Sequence, residues 1–438
     1  MNGIKVAKFG GTSLADADQI RKVLKIIKAD PARRFIVVSA PGKRDQADQK
    51  VTDLLYGLHR GIHGLTSMQI IKIISNRFNG IIKDLGLELD ITEDLDLIRR
   101  SVCDDRCLDF LASRGEYLNA RILAEALGFE FVDALHVIEL NALGQFDMEA
   151  TEQNKALLME SANGYVVPGF YGALPNGMVK TFSRGGSDLT GAIVAALVNA
   201  DLYENWTDVS GLLMTDPQIV PSAKKVDVVT YRELRELTYM GARVLHDAVI
   251  FPLRKAGIPI ALRNTNDLSN EGTVIVPDAQ VPQRAAGSIV GIAGRKDLTV
   301  ITVEKTLMNE EVGFMRRVCA VFERHAINIE HIPGGIDTLS VVIKSESLDD
   351  KLELIKREIE DECCPDGLSV SSNMALVCTV GHAIARTPGV AARLFQSLAS
   401  AKINVRMIDQ GSSEISIIVG IENDDYETAV RAIYDEFV

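Results

Sequence analysis

A pattern that occurs twice in the C-terminal part of the chain constrains the fold more than any other feature. In each copy an apolar strand leads through a loop with glycine to a helix with apolar residues at i, i+3, i+4 and i+7, then to Ile-Asn and two strands. Each copy therefore predicts a small α+β unit of the ferredoxin-like βαββαβ type. The offset is constant: Gly313, Met315, Cys319, Phe322, Ile327, Asn328 and Ser340 correspond to Gly389, Ala391, Phe395, Leu398, Ile403, Asn404 and Ser416.

The two copies differ in their last strand. The first copy, 298–373, has an apolar segment around Leu368–Ser372 that fits a fourth strand, whereas the second copy, 374–438, reaches its last helix without one. Because the missing strand must come from elsewhere, we expect the apolar segment Ser288–Ile292 to donate it. This arrangement makes the first copy an insertion within the second.

The residues before 276 follow a different rhythm. A helical spacing of apolar residues from Ile20 to Ile27 is followed by the strand-like run Phe35–Ser39, and this alternation continues along the chain. It predicts an α/β sandwich with a largely parallel sheet, in which ligands bind beyond the carboxyl ends of the strands. Residues 276–297 are weakly periodic and contain prolines and glycine, as is typical of a domain junction.

Composition excludes several classes of function. The net charge of −13 over 438 residues argues against broad binding to nucleic acid or to an anionic membrane. The longest apolar run, Leu189–Val198, is far shorter than the roughly 20 residues of a membrane span. With no signal peptide pattern at the N-terminus, we expect a cytoplasmic protein. The cysteines lack metal-site or CxxC spacing and are expected to be reduced: Cys103, Cys107, Cys319, Cys363, Cys364 and Cys378.

Three polar segments are candidates for chemistry. Lys8–Ser13 follows a strand and precedes a helix, so its glycines, its lysine and the helix N-terminus suit a phosphate, although a plain tight turn is the structural alternative. Thr181–Asp188 places Arg184 where its guanidinium can fork onto a carboxylate, while Asp188 could serve only as a helix cap. Asn205–Gly211 suits a nucleotide but could also be an ordinary polar turn. None of them is a Walker loop or a GxGxxG motif.

Five motifs follow one another along the chain: Lys8-Phe9-Gly10-Gly11-Thr12-Ser13, Ser113-Arg114-Gly115-Glu116, Ser183-Arg184-Gly185-Gly186-Ser187-Asp188, Trp206-Thr207-Asp208-Val209 and Gly241-Ala242-Arg243-Val244-Leu245-His246. Taken together, they resemble those of the aspartokinases, which belong to the amino-acid kinase superfamily. The repeat resembles the paired ACT domains that such enzymes carry. The resemblance covers nearly the whole chain and implies a kinase domain over 1–275, a junction over 276–297, and ACT domains over 298–373 and 374–438.

The resemblance implies an activity and a set of site residues. The activity is ATP-dependent phosphorylation of L-aspartate to 4-phospho-L-aspartate, the first step towards lysine, threonine and methionine. The expected catalytic residues are Lys8 and Asp188, and the aspartate site is expected to use Thr52, Glu116, Arg184 and Ser187. The ATP site is expected to use Lys8, Gly10, Gly11, Thr207, Asp208 and Arg243.

The chemistry of this reaction needs no strong base. The attacking β-carboxylate is ionised at neutral pH, so the obstacle is the approach of one anion to another. Lys8, the glycine amides and Mg²⁺ bound mainly through the ATP phosphates would neutralise that charge, with no metal ligand from protein side chains. Asp188 is then expected to orient Lys8 or the substrate.

ACT domains imply regulation by an amino acid and assembly into a homodimer or homotetramer. We expect lysine, or else threonine, as the effector, because Glu310, Glu311 and Glu330 could receive a cationic side chain. The alternative is that the repeat only mediates dimerisation. No homoserine dehydrogenase segment follows, so a monofunctional enzyme is expected. The expected effector residues are Met308, Gly313, Phe314, Met315, Asn328, Ile329 and Glu330.

Some positions depart from the family pattern. Gln218 stands where arginine is usual, and Arg243 stands where lysine is usual. His246 is followed by Asp247 and not by the usual proline, and Ser183 replaces a glycine. These changes could weaken ATP binding. Two rival functions are therefore a superfamily kinase for glutamate, acetylglutamate, carbamate or a nucleotide, and a catalytically silent amino-acid sensor.

Overall fold

We describe the protein from a computed structural model, for residues 3–62, 64–102, 107–183, 185–242, 245, 247–281, 283–348 and 350–438. The chain forms two compact units. Unit 1 consists of Met1–Leu212, Asp227–Tyr231 and Val244–Val281. Unit 2 consists of Leu213–Val226, Arg232–Arg243 and Pro282–Val438.

Unit 1 is built on an eight-stranded sheet in the order β10-β12-β11-β7-β1-β2-β4-β3. Every neighbouring pair is parallel except β11 and β12, so the predicted largely parallel sheet is confirmed. The strands are β1 (Lys5–Phe9), β2 (Arg33–Val38), β3 (Glu130–Phe131), β4 (Tyr165–Pro168), β7 (Leu202–Thr207), β10 (Val228–Thr230), β11 (Ile260–Asn264) and β12 (Thr273–Val276). Two short pieces, β5 (Tyr171–Ala173) and β6 (Val179–Thr181), pair with each other.

Helices cover the sheet and supply its core. The helices of unit 1 are α1 (Ala17–Lys28), α2 (Val51–Arg60), α3 (Ser67–Leu85), α4 (Thr92–Ser101), α5 (Leu108–Leu127), α6 (Ala134–Val137), α7 (Met148–Glu152), α8 (Gly186–Leu197) and α10 (Asp247–Ala256), whereas α9 (Tyr231–Tyr239) belongs to unit 2 from Arg232 onwards. The carboxylate of Asp16 accepts from the Gln19 N–H and begins α1, whose apolar face buries Ile20 and Val23 in the core. In the described part of the chain, no helix is long and apolar enough to cross a membrane.

Unit 2 contains the repeat and one five-stranded antiparallel sheet, in the order β14-β13-β15-β17-β16. Its strands are β13 (Gly291–Glu304), β14 (Thr338–Lys344), β15 (Gly367–Val380), β16 (Met407–Asp409) and β17 (Ser416–Glu422). Its helices after the junction are α11 (Phe314–Arg324), α12 (Leu352–Cys363), α13 (Val390–Ser400) and α14 (Tyr426–Phe437). The short strands β8 (Leu212–Leu213) and β9 (Lys225–Val226) precede the repeat. Each copy has a hydrophobic core of its own beneath this sheet.

The long strands β13 and β15 serve both copies. Residues Leu298–Glu304 pair with β14 and with the start of β15, whereas Gly291–Arg295 pair with Leu376–Val380 in the second copy. The register shifts between Arg295 and Leu298, where Asp297 has a positive φ of 59°. The strand that the second copy lacks at its end thus precedes the first copy in sequence, starting at Gly291.

One feature differs from expectation. The strand expected after Ile327-Asn328 is reduced to isolated bridges at His331 and Gly334, because Pro333 has no N–H to donate and glycine disfavours a strand.

Segments 213–226 and 232–243 belong to unit 2. They do so because Val220 joins the core of the second copy and the Ile292 N–H donates to the Met214 carbonyl.

Four of the cysteines, Cys319, Cys363, Cys364 and Cys378, form no disulfide within the described part of the chain, and Cys103 lies outside the described residues. Cys378 is fully buried, and burial raises the pKa of its thiol well above the usual range.

Candidate active site

The candidate site lies at the carboxyl edge of three neighbouring parallel strands, β1, β2 and β7. The ring of Phe9 stacks on that of Trp206 with centroids 6.0 Å apart, which ties the ends of β1 and β7 together. Beyond the strands, the Gly10 N–H donates to the Trp206 carbonyl at 2.9 Å, and the Ser39 N–H donates to the Phe9 carbonyl at 3.1 Å. The loops that leave these strands therefore start from fixed positions.

Gly11 begins a single tight turn, Gly11–Leu14, between β1 and α1. A Cβ atom on Gly11 would lie 2.9 Å from the Ala40 carbonyl oxygen, so a side chain cannot fit there. The Ser13 hydroxyl shares a buried 2.7 Å hydrogen bond with that of Thr265, which anchors the turn beside the end of β11. Because the Gly10 N–H is already bonded to Trp206, Gly10 can contribute to phosphate binding through its small size but not through its amide.

Lys8 and Asp188 form an ion pair beside this turn. The Lys8 Nζ lies 2.5 Å from Asp188 Oδ1, and the side-chain amide of Asn205 donates to the same oxygen at 3.1 Å. Lys8 is only 7% exposed. Asp188 lies in the first turn of α8, whose N-cap is Gly185, so the alternative that Asp188 is the helix cap is wrong. Asn205 was not singled out from the sequence, since one amide in a polar run carries no distinctive signal.

Glu116 is a buried carboxyl on α5 with spare hydrogen-bonding capacity. Its Oε2 is buried and has no hydrogen-bond partner within the described part of the chain. Burial raises the pKa of Glu116 to about 8, although the Ala40 N–H and the charges of Arg114 and Lys8 oppose this rise. Glu116 is therefore mostly neutral at pH 7 until a cationic group comes within reach.

Arg114 stands beside Glu116 in an aromatic enclosure. Its guanidinium carbon lies 4.4 Å from the ring centroid of Phe110 and 4.2 Å from that of Tyr117, and its Nε and Nη2 donate to the Ser113 hydroxyl. The aromatic residues at i−4 and i+3 on one helix are a signal that could have identified this enclosure from the sequence. Arg114 adds positive charge to the Glu116 end of the site.

Three of the remaining predicted site residues that the structure describes, Ser187, Thr52 and Thr207, lie near the ends of α8, α2 and β7. Ser187 is buried in the first turn of α8. It packs against Gly169, just beyond β4, so closely that a Cβ atom added to Gly169 would lie 2.6 Å from the Ser187 Cβ. Thr52 is half-buried in the first turn of α2. Thr207 ends β7, and its hydroxyl donates to the carboxylate of the exposed Asp208 at 3.1 Å. Arg184, Arg243 and His246 lie outside the described residues.

The predicted effector residues are only partly available to a ligand. Met308 and Phe314 are buried in the core of the first copy, whereas Met315 is 52% exposed. Two of the three acidic residues expected to receive a cation already have partners, since Glu311 pairs with Lys305 and Arg317, and Glu330 pairs with Arg295. A cationic ligand would therefore compete with the chain's own cations.

Comparisons with known proteins agree with this architecture. Residues 3–264 match the amino acid kinase family, and residues 377–437 match the ACT domain. The chain is 38% identical to aspartokinase 3 of Bacillus subtilis over 452 residues, which cover 99% of this chain and 98% of the relative. The crystal structure of Clostridium acetobutylicum aspartate kinase is 47% identical and covers 100% of both chains with a TM-score of 0.89.

Escherichia coli aspartokinase III is similar in two states. Its complex with aspartate and ADP, called the R-state, is 25% identical and covers 99% of both chains with a TM-score of 0.77. Its complex with lysine and aspartate, called the T-state, is 26% identical over the same coverage with a TM-score of 0.74.

Proposed function

Because the chain belongs to the aspartokinase family of amino acid kinases, it is an ATP-dependent aspartate kinase, and we propose that phosphoryl transfer takes place at the strand edge around Lys8. This proposal rests on one observation: a cation, Lys8, and a buried acid, Glu116, lie at the same carboxyl edge of the sheet. Lys8 is a held cation beside a glycine turn, and Glu116 is a buried acid with an unpartnered oxygen. The product is 4-phospho-L-aspartate.

The phosphate end of the site contains Lys8, Gly10 and Gly11. Lys8 would neutralise the charge that builds up as the β-carboxylate approaches the γ-phosphate. Asp188 holds the Lys8 ammonium group and is itself held by the Asn205 amide, so Asp188 acts as the orienting partner of Lys8 and does not need to remove a proton. Thr207, Asp208 and Arg243 are proposed to line the nucleotide.

Magnesium is proposed to enter with ATP. Mg²⁺ in kinases is often held mainly by the phosphate oxygens of the nucleotide, and the same binding mode is proposed for this chain. When bound, Mg²⁺ would lower the negative charge of the phosphates.

The aspartate end is proposed to contain Glu116, Thr52, Ser187 and Arg184. The substrate ammonium group would supply the hydrogen-bond donor that Glu116 Oε2 lacks, and its charge would favour the ionised form of Glu116. Arg184 and the hydroxyls of Thr52 and Ser187 suit the substrate carboxylates. The attacking carboxylate is ionised already, so the protein's task is alignment.

Trapping of the acyl phosphate tests this site. With hydroxylamine present, the wild-type enzyme should give aspartate-dependent hydroxamate, and Lys8→Met should lower kcat by at least about 100-fold because the main cation is lost. Glu116→Gln should mainly raise KM for aspartate. If Lys8→Met kept most of the wild-type kcat, the proposed phosphate end would be wrong.

The pKa of Glu116 adds a second test. The ionised carboxylate is the form that binds an ammonium group, so KM for aspartate should fall as pH rises towards about 8 and then level off. Glu116→Gln should show no such fall. A wild-type KM that stayed constant from pH 6 to pH 8.5 would contradict the role of Glu116.

Regulation by lysine is proposed through the loop of the first copy, Met308–Met315, together with Asn328–Glu330. The lysine complex of the E. coli relative supports this choice of effector. Within unit 2, the Tyr239 hydroxyl donates to the Glu330 carbonyl at 2.7 Å, and the Arg295 guanidinium lies over the Tyr239 ring. Because α9 leads directly to Gly241–His246, a change at Glu330 has a short covalent route to the proposed nucleotide motif.

The remaining assignments are also proposals. The exposed apolar side chains Val312 and Ile336 of the first copy support assembly through the ACT domains into a homodimer or homotetramer. The separate cores support one ACT domain at 298–373 and another at 374–438, with the start of β13 completing the second. A cytoplasmic location is proposed from the aspartokinase family alone.

A further inference from the structure

Arg77 is a buried cation that none of the site motifs includes. It lies on α3 and is 8% exposed. Its Nη2 donates to the Gly42 carbonyl at 2.6 Å, and its Nη1 donates to Asp48 Oδ2 at 2.6 Å. Both acceptors belong to the loop that leaves the carboxyl end of β2, the strand next to β1. A long side chain from a covering helix thus reaches one loop at the edge of the sheet.

Gly42 connects this arginine to the glycine turn. While its carbonyl accepts from Arg77, its N–H donates to the Gly11 carbonyl at 2.8 Å. A Cβ on Gly42 would lie only 2.6 Å from the Gly11 carbonyl carbon and 2.8 Å from the Thr12 nitrogen, so the two backbones touch. A shift of Gly42 would therefore move Gly11 as well.

The other end of the Arg77 fork is also held. Asp48 accepts from the Arg44 Nε and Nη2 at 2.9 and 3.0 Å and from the Arg44 N–H at 3.0 Å. Hydrogen bonds from Arg44 and Arg77 hold the pKa of the Asp48 carboxyl well below its usual range. Asp48 therefore stays ionised at working pH and orients the Arg77 guanidinium towards Gly42.

We propose that Arg77 is a positioning residue for the ATP phosphates. Arg77 holds the Gly42 peptide, and the Gly42 peptide in turn fixes the Gly11 turn. The inference rests on the proposed phosphate end of the site. Hydrogen bonds in a row polarise one another, so the guanidinium strengthens the Gly42–Gly11 bond as well as placing it. Lysine at position 77 would keep the charge but lose the fork that reaches Gly42 and Asp48 together.

A purely structural role is the competing explanation, and Arg34 provides a matched control for it. Arg34 also donates to a backbone carbonyl, that of Ser161, at 2.7 Å, and its Nε is unpartnered like that of Arg77 among the described residues. It lies in β2, near the amino end of the strand and therefore away from the candidate site. Loss of the Arg34 side chain should lower the stability of the protein without changing the kinetic constants for ATP or for aspartate.

The experiment compares Arg77→Gln, Arg77→Lys and Arg34→Gln in the full-length enzyme. Hydroxamate rates are measured with ATP and aspartate varied in turn, together with ATP binding by calorimetry and thermal unfolding. For Arg77→Gln, kcat/KM for ATP should fall about 30-fold while KM for aspartate changes less than about threefold, since a small misplacement of the phosphates is costly. Arg77→Lys should recover part of this loss, and Arg34→Gln should show only a lower Tm.

Asp48→Asn keeps the test decisive if Arg77→Gln fails to fold. It should weaken ATP binding in the same direction by about three- to tenfold, because Arg77 loses its orienting charge. The inference is overturned if the Arg77 variants affect both substrates equally, or if they behave like Arg34→Gln. A wild-type enzyme without aspartate-dependent hydroxamate would overturn the proposed function instead, and ATP calorimetry would still decide the role of Arg77.

Discussion

The two copies of the repeat share one sequence pattern but have different surroundings. The first copy exposes Val312, in its strand-to-helix loop, to 96% and Ile336, in the loop before β14, to 75%. The corresponding positions of the second copy are Pro388 and Ser412. The first copy therefore has exposed apolar side chains at two positions where the second copy has proline and serine.

The second copy packs extensively on segments that come from before the junction. Val220 is part of its core, the Lys224 N–H donates to the Tyr434 hydroxyl, and the Ser416 hydroxyl donates to Glu236 on α9. These segments neighbour, in sequence, Thr207-Asp208 and Gly241–His246, the two motifs proposed for the nucleotide. We therefore expect the first copy to respond to the effector and the second copy to hold the segments that follow or precede these motifs.

The largest expected effect comes from shortening one buried side chain of the shared strand β13, on either side of the register shift between Arg295 and Leu298. Ile292 and Ile301 are both buried, the first in the core of the second copy and the other in that of the first. Each Ile→Ala change should cost about 2–5 kcal/mol of unfolding free energy through lost burial and a cavity. Hydrogen exchange should show loosening of α13 and α14 in Ile292→Ala, but of α11 and α12 in Ile301→Ala.

The matched pair is its own control, because the two changes remove the same atoms from the same strand. Equal loss of protection in both cores, whichever isoleucine is changed, would mean that the copies form one cooperative unit. The division of labour between them would then have to be abandoned.

A second test uses the reversal of charge between the copies. Glu330 of the first copy corresponds to Arg406 of the second. Glu330→Gln removes a carboxylate and leaves Arg295 without its ion-pair partner, so the cationic effector meets uncompensated positive charge. The lysine concentration for half inhibition should rise about tenfold, equivalent to about 1.4 kcal/mol. Inhibition assays at fixed ATP and aspartate measure this change.

Arg406→Gln is the control for the charge test. It removes a charge at the corresponding position and breaks the pair with Glu422. We expect the lysine response of this variant to stay within about twofold of the wild type, since an exposed ion pair contributes little. If both variants shifted inhibition equally, the effector would be sensed by both copies.

Much of the fold could be predicted because its signals are local or periodic. The repeat predicted two similar units. The turn signals placed Lys8–Ser13 and Thr207-Asp208 after strands, whereas in the structure Lys8 still belongs to β1 and Thr207 to β7, so both strands run further than expected. Long-range packing could not be predicted in the same way. Nothing in the sequence near Val220 indicates that it joins a core built mainly from residues after 288. The packing of this segment therefore had to come from the structure.

The candidate site shows the same limit. Lys8, Asp188 and Glu116 were found through motifs, and the first two do meet in space. Arg77 and Asn205 carry no motif, and their importance depends on contacts with Gly42 and Asp188 that only the folded chain creates. The acidic side chains expected to receive a cation are also less available than expected, because Glu311 pairs with Lys305 and Glu330 pairs with Arg295, and the sequence did not indicate either pair.

The smallest expected effect tests the anchoring role of the second copy. Tyr434 corresponds to Glu358 of the first copy, and its hydroxyl accepts from the Lys224 N–H at 2.9 Å. Tyr434→Phe removes this bond at a cost of about 1 kcal/mol and should loosen segment 213–226. Because that segment follows Thr207-Asp208 closely, KM for ATP should rise about threefold with KM for aspartate unchanged. Glu358→Gln, the matched change in the first copy, should leave KM for ATP as it is, and an equal rise in both variants would show that anchoring is not confined to the second copy.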